Sequence, residues 1–299
     1  MKKILECIPN FSEGRREEVI NEIVNAIKMF DVKVLDVEAD KDHNRCVVTF
    51  IGEPENVKKA AFKAVEKAAE LIDMEKHKGE HPRIGATDVL PFVPIRNMKI
   101  EEAVDIAVNL GKEIGEKLGI PVYLYESAAM RTERKDLGVI RKGEYEGLKK
   151  DISLPERIPD FGPKRMHPTA GAIAVGARAP LVAFNVNLGT NNIEIAKKIA
   201  RAMRAKNGGF TYVKALGFEI KERGIVQVSM NLTNYSATPI YRVFEAIKTE
   251  AKRYGVNIIG SEIVGLVPMD ALIDCADFYL QLEKFKKEQI LEWHLQEVI

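Results

Sequence analysis

Cysteine is scarce. Cys7, Cys46 and Cys275 are the only three among 299 residues, and no two share a C-x-x-C spacing. That excludes a disulfide framework and a cysteine-based zinc module, and it points to a reduced, cytoplasmic protein. Nor is there an excess of charge of either sign, since 45 Lys and Arg against 44 Asp and Glu leave a formal net charge of +1. No global field gathers nucleic acid or an anionic membrane, so neither is expected as a partner and any ion recognition must be local. No apolar run approaches the length of a membrane span, and in the opening MKKILECIPNF both Glu6 and Pro9 interrupt the stretch that begins like a signal peptide.

What the chain does contain is short β-rich runs alternating with amphipathic helical stripes, over a length suited to two lobes. KILECIP reads as a strand, and Val19, Ile20, Ile23, Val24 and Ile27 mark one face of a helix. VKVLDVEA and RCVVTFIG pair across the turn-prone DKDHN. Pro54 opens a helix striped by Val57, Ala61, Val65, Ala68 and Ile72. VLPFVPI, a helix from Glu101 and PVYLYES complete the set. From Leu181 the same order returns, with a hairpin around Glu222-Arg223-Gly224 and a last helix from Pro239. The expected fold class is therefore α/β (α+β): two ferredoxin-like βαββαβ lobes, 1–178 and 179–299. Between them LPERIPDFGPKRMHPTAGAIAVGARAP is rich in Pro and Gly and lacks a period, and reads as a linker or a binding loop.

HKGEHPRIGATDV, His77 to Val89, contains the H-x-x-E-H spacing of a zinc-peptidase helix. Such a site needs one helix through both histidines. Gly79 lies between them and Pro82 biases His81 toward an extended or turn conformation, so the shared face is lost and no metal is expected. The acidic run DVEADKDH resembles a calcium loop only superficially, because its sixth position is Lys41 and its twelfth is Val47. A solvated strand end is the ordinary reading, with Glu38 set inside the strand pattern. A lone loop histidine at His81, with an ordinary pKa of about 6.5, suits a general base near neutral pH.

ECIPNFSEGR, HKGEHPRIGATDV, PVYLYESAA, GEYEGL, PDFGP, AFNVNL and EIVGLVP occur in this order from Glu6 to about Tyr279. Together they resemble the glutamate formiminotransferase family, which in animals forms the front part of a bifunctional protein with a cyclodeaminase behind it. The resemblance implies a folate groove between two lobes and transfer of a formimino group from N-formimino-L-glutamate to N5 of tetrahydrofolate, a step of histidine degradation and one-carbon metabolism. Tetrahydrofolate is then a co-substrate, and a separate cyclodeaminase is a possible partner. His81 matches the family's catalytic histidine. The folate-binding segment falls on Gly162, Pro163, Lys164, Arg165, Met166, His167, Pro168, Thr169, Ala170 and Gly171. Two positions depart from the animal pattern: Glu38 stands where those members have Asp, and Ala170 where they have Trp.

Both substrates carry carboxylates. Arg45 and Arg83 are expected near the donor, and Lys164, Arg165 and Arg178 near the folate glutamate tail. Glu38 is expected to orient His81 or to steady positive charge on the donor. Asn10 and Asn187 sit at matching turns, as helix caps or ligand contacts. His43 and His294 read as surface residues, and Trp293 as packing or a dimer contact, a homodimer being the expected assembly. A formyl donor, N-formylglutamate, presents the same carbon, and a folate-binding protein without catalysis is the reading from a different class.

Overall fold

The computed structural model describes residues 2–41, 43–79, 81–292 and 294. Within them the periodic stripes become helices and the β-branched runs become strands. In chain order these are β1 (Ile4–Cys7), β2 (Asn10–Phe11), α1 (Glu17–Lys28), β3 (Val32–Asp40), β4 (Arg45–Gly52), α2 (Pro54–Leu71), β5 (Thr87–Arg96), α3 (Ile100–Lys117), β6 (Val122–Glu126), α4 (Leu137–Ile140), α5 (Glu144–Asp151) and β7 (Ile173–Ala177). Then follow β8 (Val182–Leu188), α6 (Ile193–Met203), β9 (Val213–Ile220), β10 (Ile225–Leu232), α7 (Ile240–Arg253), β11 (Ile258–Val264) and α8 (Met269–Leu280). The class is α+β, and the chain divides into two compact units, Met1–Ala179 and Pro180–Ile299.

In the first unit β3, β4, the β1/β2 pair and β5 lie side by side, and β7 and then β6 extend the sheet beyond β5. The βαββαβ part, taken from one edge, thus runs second, third, first, fourth strand. The first strand is split for a chemical reason. Register is kept at Cys7↔Phe92 and Asn10↔Val89, and the two rows between them hold Pro91, opposite Ile8, and Pro9. Neither proline has an N–H to donate, so the ladder lapses there. The lapse falls just before Asn10, the first residue of the site described below. One face of the sheet is covered by α1, α2 and α3 over a core that includes Phe50, Phe92, Ile23, Ile27, Leu110 and Ile114, all fully buried. Each such side chain contributes about 1.5–3 kcal/mol by leaving water.

The second unit is a four-stranded antiparallel sheet ordered β11-β8-β10-β9, again the fourth, first, third and second of a βαββαβ series. Val182, Val186, Val226 and Val228 pack with Ile199, Val243 and Ile247 of α6 and α7. The β9–β10 turn is the expected one, a short 3₁₀ turn closed by Gly224 at φ +60°.

One expectation is corrected. The Pro/Gly-rich stretch is not a linker between units: most of it lies within the first, and its IAVGA becomes β7, a wholly buried strand running parallel to both neighbours. Ala and Gly give a weak strand signal by propensity. Their smallness is a packing requirement, since a Cβ on Gly176 would lie 2.5 Å from Tyr125 Cδ1. No helix among the described residues is long and apolar enough to cross a membrane.

Candidate active site

The turn between β3 and β4 is organised by Asn44, a buried residue held at φ +48°, a conformation asparagine tolerates better than most side chains. Its amide receives the Gly14 N–H at 2.9 Å and donates to the Lys78 carbonyl at 2.9 Å, while its own carbonyl meets His77 Nε2 at 3.0 Å. The Gly14 loop and the 77–78 loop are thus both tied to this one residue. The HKGEH segment crosses this turn so closely that a Cβ on Gly79 would lie 2.3 Å from the His43 carbonyl. Gly79 serves that approach. No helix passes through His77 and His81, and Glu80 lies outside the described residues.

His77 is a structural histidine. With Nε2 donating to Asn44, Nδ1 is left to accept from Arg83 Nε at 3.3 Å, and burial lowers its pKa. The Arg83 guanidinium is in turn held by α5: Nη1 donates to Glu144 at 2.7 Å, and both Nη groups reach Glu146. GEYEGL is therefore a clamp. Its two glutamates hold Arg83, and Tyr145 between them is buried and donates its hydroxyl to Glu75 at 2.5 Å.

Beside this scaffold a small cleft is lined by Asn10, Ser12, His43, Arg45, His81 and Asp88, with Arg83 and His77 in its wall. Arg45 Nε donates to Asn10 Oδ1 at 3.0 Å, a second guanidinium nitrogen makes a close contact with the same oxygen, and Asn10 Nδ2 anchors on the Ile8 carbonyl at 3.0 Å. Asn10 aims an arginine and caps no helix: α1 starts after Arg16, without a side-chain cap. Asp88 is buried, receives the Ile84 N–H at 2.9 Å on one oxygen, and is joined to Arg141 on the other. His81 stands with its ring edge-on to His43, centroids 6.4 Å apart. Burial, then the charges of Arg45, Arg141 and His43, push its pKa down to about 2, against the Pro82 carbonyl, so its imidazole is neutral and its lone pair available.

The predicted folate segment meets, through backbone, the 84–86 stretch that follows His81 and Arg83 and lies outside the cleft lining. Gly85 and Gly171 bridge the two loops, the Ala86 N–H donates to the Ala170 carbonyl at 2.9 Å, and the Ala172 N–H to the Ile84 carbonyl at 3.0 Å. The approach is so close that a Cβ on Gly85 would sit 1.9 Å from the Ala172 carbonyl oxygen. Gly171 turns at φ +72° and Gly162 at φ +82°, conformations that favour glycine. His167 is turned inward, its Nδ1 accepting the N–H groups of Thr169 at 3.3 Å and Ala170 at 3.0 Å. Met166 packs on the core and Ala170 is buried, while Lys164, Arg165, Pro168 and Gly162 are exposed. Pro163 and Thr169 are intermediate.

Other predicted residues lie elsewhere. Glu38 is on the exposed run of β3 opposite Val47, outside the cleft lining. Arg178 follows β7, its N–H donating to the Phe92 carbonyl at 3.0 Å, and its charge opposes the burial that raises the Glu6 pKa. In the second unit Asn187 accepts from Gln227 at 2.9 Å, within a network reaching Glu262 and Asn185. His43, read as a surface residue, instead borders the cleft, paired with Asp40 at 2.7 Å. His294 is exposed, and Trp293 lies outside the described residues. Sequence reasoning passed over Asn44, Asp88 and Arg141. The only signal for Asp88 and Arg141 was a polar residue beside an apolar run, in DVLPF and GVIRKG, and for Asn44 it was the turn-prone DKDHN.

The profile described as "Formiminotransferase domain, N-terminal subdomain" matches residues 4–178, and that described as "Formiminotransferase domain" matches residues 183–296. The chain is 52% identical over 297 residues to "Glutamate formimidoyltransferase" of Streptococcus pyogenes serotype M1, covering 99% of each chain. It is 54% identical over 292 residues to the protein of the same name from Thermoplasma acidophilum, covering 97% of this chain and 96% of that one. "Formimidoyltransferase-cyclodeaminase" of Gallus gallus is 44% identical over 95% of this chain, which spans 54% of that longer protein. Matches of this extent, over both units and through the segments that build the cleft, make the chain a member of the formiminotransferase domain family.

Proposed function

We propose that this chain is a glutamate formimidoyltransferase, moving the formimino group of N-formimino-L-glutamate to N5 of tetrahydrofolate and releasing glutamate. The observation that carries this is near full-length similarity to proteins of that name, at 52% and 54% identity. The cleft supports it independently. A bond forms between N5 and the formimino carbon, the bond from that carbon to the glutamate nitrogen breaks, and one proton passes from N5 to the departing nitrogen. His81 is the group placed to carry that proton: burial and the nearby arginines leave its neutral imidazole a weaker base than an ordinary histidine, yet N5 becomes acidic as its bond to carbon forms, so His81 can accept the proton then and return it to the departing nitrogen. Arg45 is our candidate for a donor carboxylate, held in place by Asn10. Arg83 is our candidate for scaffold, since Glu144 and Glu146 already engage it.

The segment Gly162 to Gly171 is proposed to hold folate, with Lys164 and Arg165 exposed toward solvent where a carboxylate tail could meet them. Glu38 and Arg178 would act, if at all, from outside the cleft lining. The same reading places the protein in histidine degradation, in the cytoplasm, as a homodimer whose contact could use exposed apolar residues of α8 such as Leu272 and Phe278. A panel of N-formimino- and N-formyl-L-glutamate with tetrahydrofolate, followed by product identification, tests the assignment. Turnover of the formyl donor alone would make it a formyltransferase, and folate binding without turnover of either would leave a binding protein.

A further inference from the structure

The geometry points to a second arginine in the donor site: Arg141, braced by Asp88 and working beside Arg45, binds the α-carboxylate of the glutamate donor. This rests on the proposed function and adds to it a residue, a ligand group and a basis for donor specificity.

Among the described residues, the Arg45 guanidinium is hydrogen-bonded to a neutral amide, Asn10, while its positive charge lines the cleft. Arg141 stands behind the cleft lining and is joined to it by Asp88, which has one oxygen occupied by the Ile84 N–H and the other by Arg141. Its Nε is buried and has no hydrogen-bond partner. Asp88 thus pairs with Arg141 and acts on Arg45 only as a nearby charge, while Arg141 keeps an unused buried donor. An unsatisfied charged donor of this kind is costly unless a ligand completes it, and a planar carboxylate is the acceptor that fits a guanidinium edge. Burial and then the charge of Arg141 disfavour the charge on Arg45, and both arginines disfavour a proton on His81. A bound anion relieves both effects.

The chemistry of the substrates says which carboxylate this is. His81 must stand beside N5 and the departing glutamate nitrogen. The α-carboxylate is separated from that nitrogen by a single carbon. The donor's γ-carboxylate lies two carbons further on, and the folate tail carboxylates lie beyond the whole aminobenzoyl ring. An anion that reaches arginines next to the reacting histidine is thus the donor's own α-carboxylate. Its arrival also raises the basicity of His81, so the correct donor switches on the base that acts on it. Asp88 is a positioning residue in this scheme, fixing Arg141 without meeting the substrate.

The test compares N-formimino-L-glutamate with its α-carboxamide and γ-carboxamide analogues as donors. The wild-type protein should lose about 10²-fold or more in kcat/KM with the α-amide and much less with the γ-amide. Arg141→Gln should lose a similar factor on the parent donor and no longer distinguish it from the α-amide, with folate binding kept. Arg141→Lys should recover part of the preference, having the charge but not the fork. Equal use of the parent and the α-amide by the wild type overturns the inference without reference to any variant, as does a folded Arg141→Gln that keeps the wild-type preference. If no donor is turned over at all, it is the proposed function that has failed. Calorimetry with L-glutamate and L-isoglutamine then still tests the site: tighter binding of glutamate, abolished in Arg141→Gln, supports it, and equal binding overturns it.

Discussion

The Arg83 guanidinium meets the Glu146 carboxylate at two points, Nη2 to Oε1 at 2.6 Å and Nη1 to Oε2 at 2.9 Å. Arg83 is almost fully buried, while the side chains of Glu146 and Glu144 are 60% and 43% exposed. Solvent screening therefore keeps this pair well below the worth of a deeply buried one. Arg83→Gln should lower stability by about 1–3 kcal/mol, since it also leaves His77 Nδ1 without its donor. Urea unfolding measures this. The donor KM should stay near the wild-type value, and a stable variant with a raised donor KM would return Arg83 to substrate binding.

The depressed pKa of His81 makes a prediction about acid. In the unfolded chain this group takes its proton near 6.5, in the folded protein only near 2, so between these values the unfolded state binds the extra proton. The stability it contributes is complete above about 6.5 and falls as pH is lowered through that value, by at most about 1.4 kcal/mol per pH unit. His81→Gln should show a shallower loss between pH 6.5 and 4. In NMR of the free protein, the His81 ring should not titrate between pH 5 and 8. A titration near 6.5 would show that neither burial nor the charges of Arg45 and Arg141 act on it as described.

Much of the frame was legible because period alone specifies it: the α1 stripe and the α2 stripe are buried as read. The α+β class followed from their order. β7 was not legible, since IAVGA is chosen for close approach to Tyr125 rather than for strand propensity. The histidine pair was separable in sequence, through Gly79 and Pro82. Its surroundings were not, because Arg141 lies 53 residues from Asp88 and Glu146 lies 63 from Arg83, and only the fold of 137–151 against the His81 loop brings them together. Asn10 looked like a cap because it stands at a strand-to-helix turn, yet its oxygen is used by Arg45, 35 residues on.

Gly85 joins the two loops of the site, so Gly85→Ala should damage both. The added Cβ would overlap the Ala172 and Ala170 carbonyl oxygens, at 1.9 and 2.6 Å, and backbone atoms cannot turn aside as a side chain can. A loss of about 1–3 kcal/mol in stability is expected from overpacking of this kind. Folate affinity and kcat should fall together, because the segment holding Gly171 and the loop carrying His81 share the strained contact. A variant impaired in only one of the two would separate them.

His81→Ala and His77→Ala should fail in different ways. His81 is half-buried at a bend, and among the described residues its ring does not bridge two loops as His77 does between Asn44 and Arg83. Its removal should lower kcat by about 10²–10⁴ and leave unfolding and folate binding near normal. His77→Ala should instead cost about 1–3 kcal/mol of stability, with a smaller effect on kcat in the protein that remains folded. Comparable rate losses in two equally stable variants would sink the division of roles.

The exposed pair Lys164 and Arg165 offers the cleanest separation of binding from chemistry. Both lie in the predicted folate segment, outside the cleft around His81, and neither is buried in the fold. Charges so exposed contribute little to stability, so the double alanine variant should unfold as the wild type does. If they meet the folate tail, the contact is equally strong before and during transfer, because the tail is remote from N5. Uniform binding of that kind raises the folate KM and leaves kcat unchanged. The increase should be greater for polyglutamyl than for monoglutamyl folate and should shrink as salt is added, since screening acts most on solvent-exposed charges. An unchanged KM for both folates at low salt would remove the pair from the binding site.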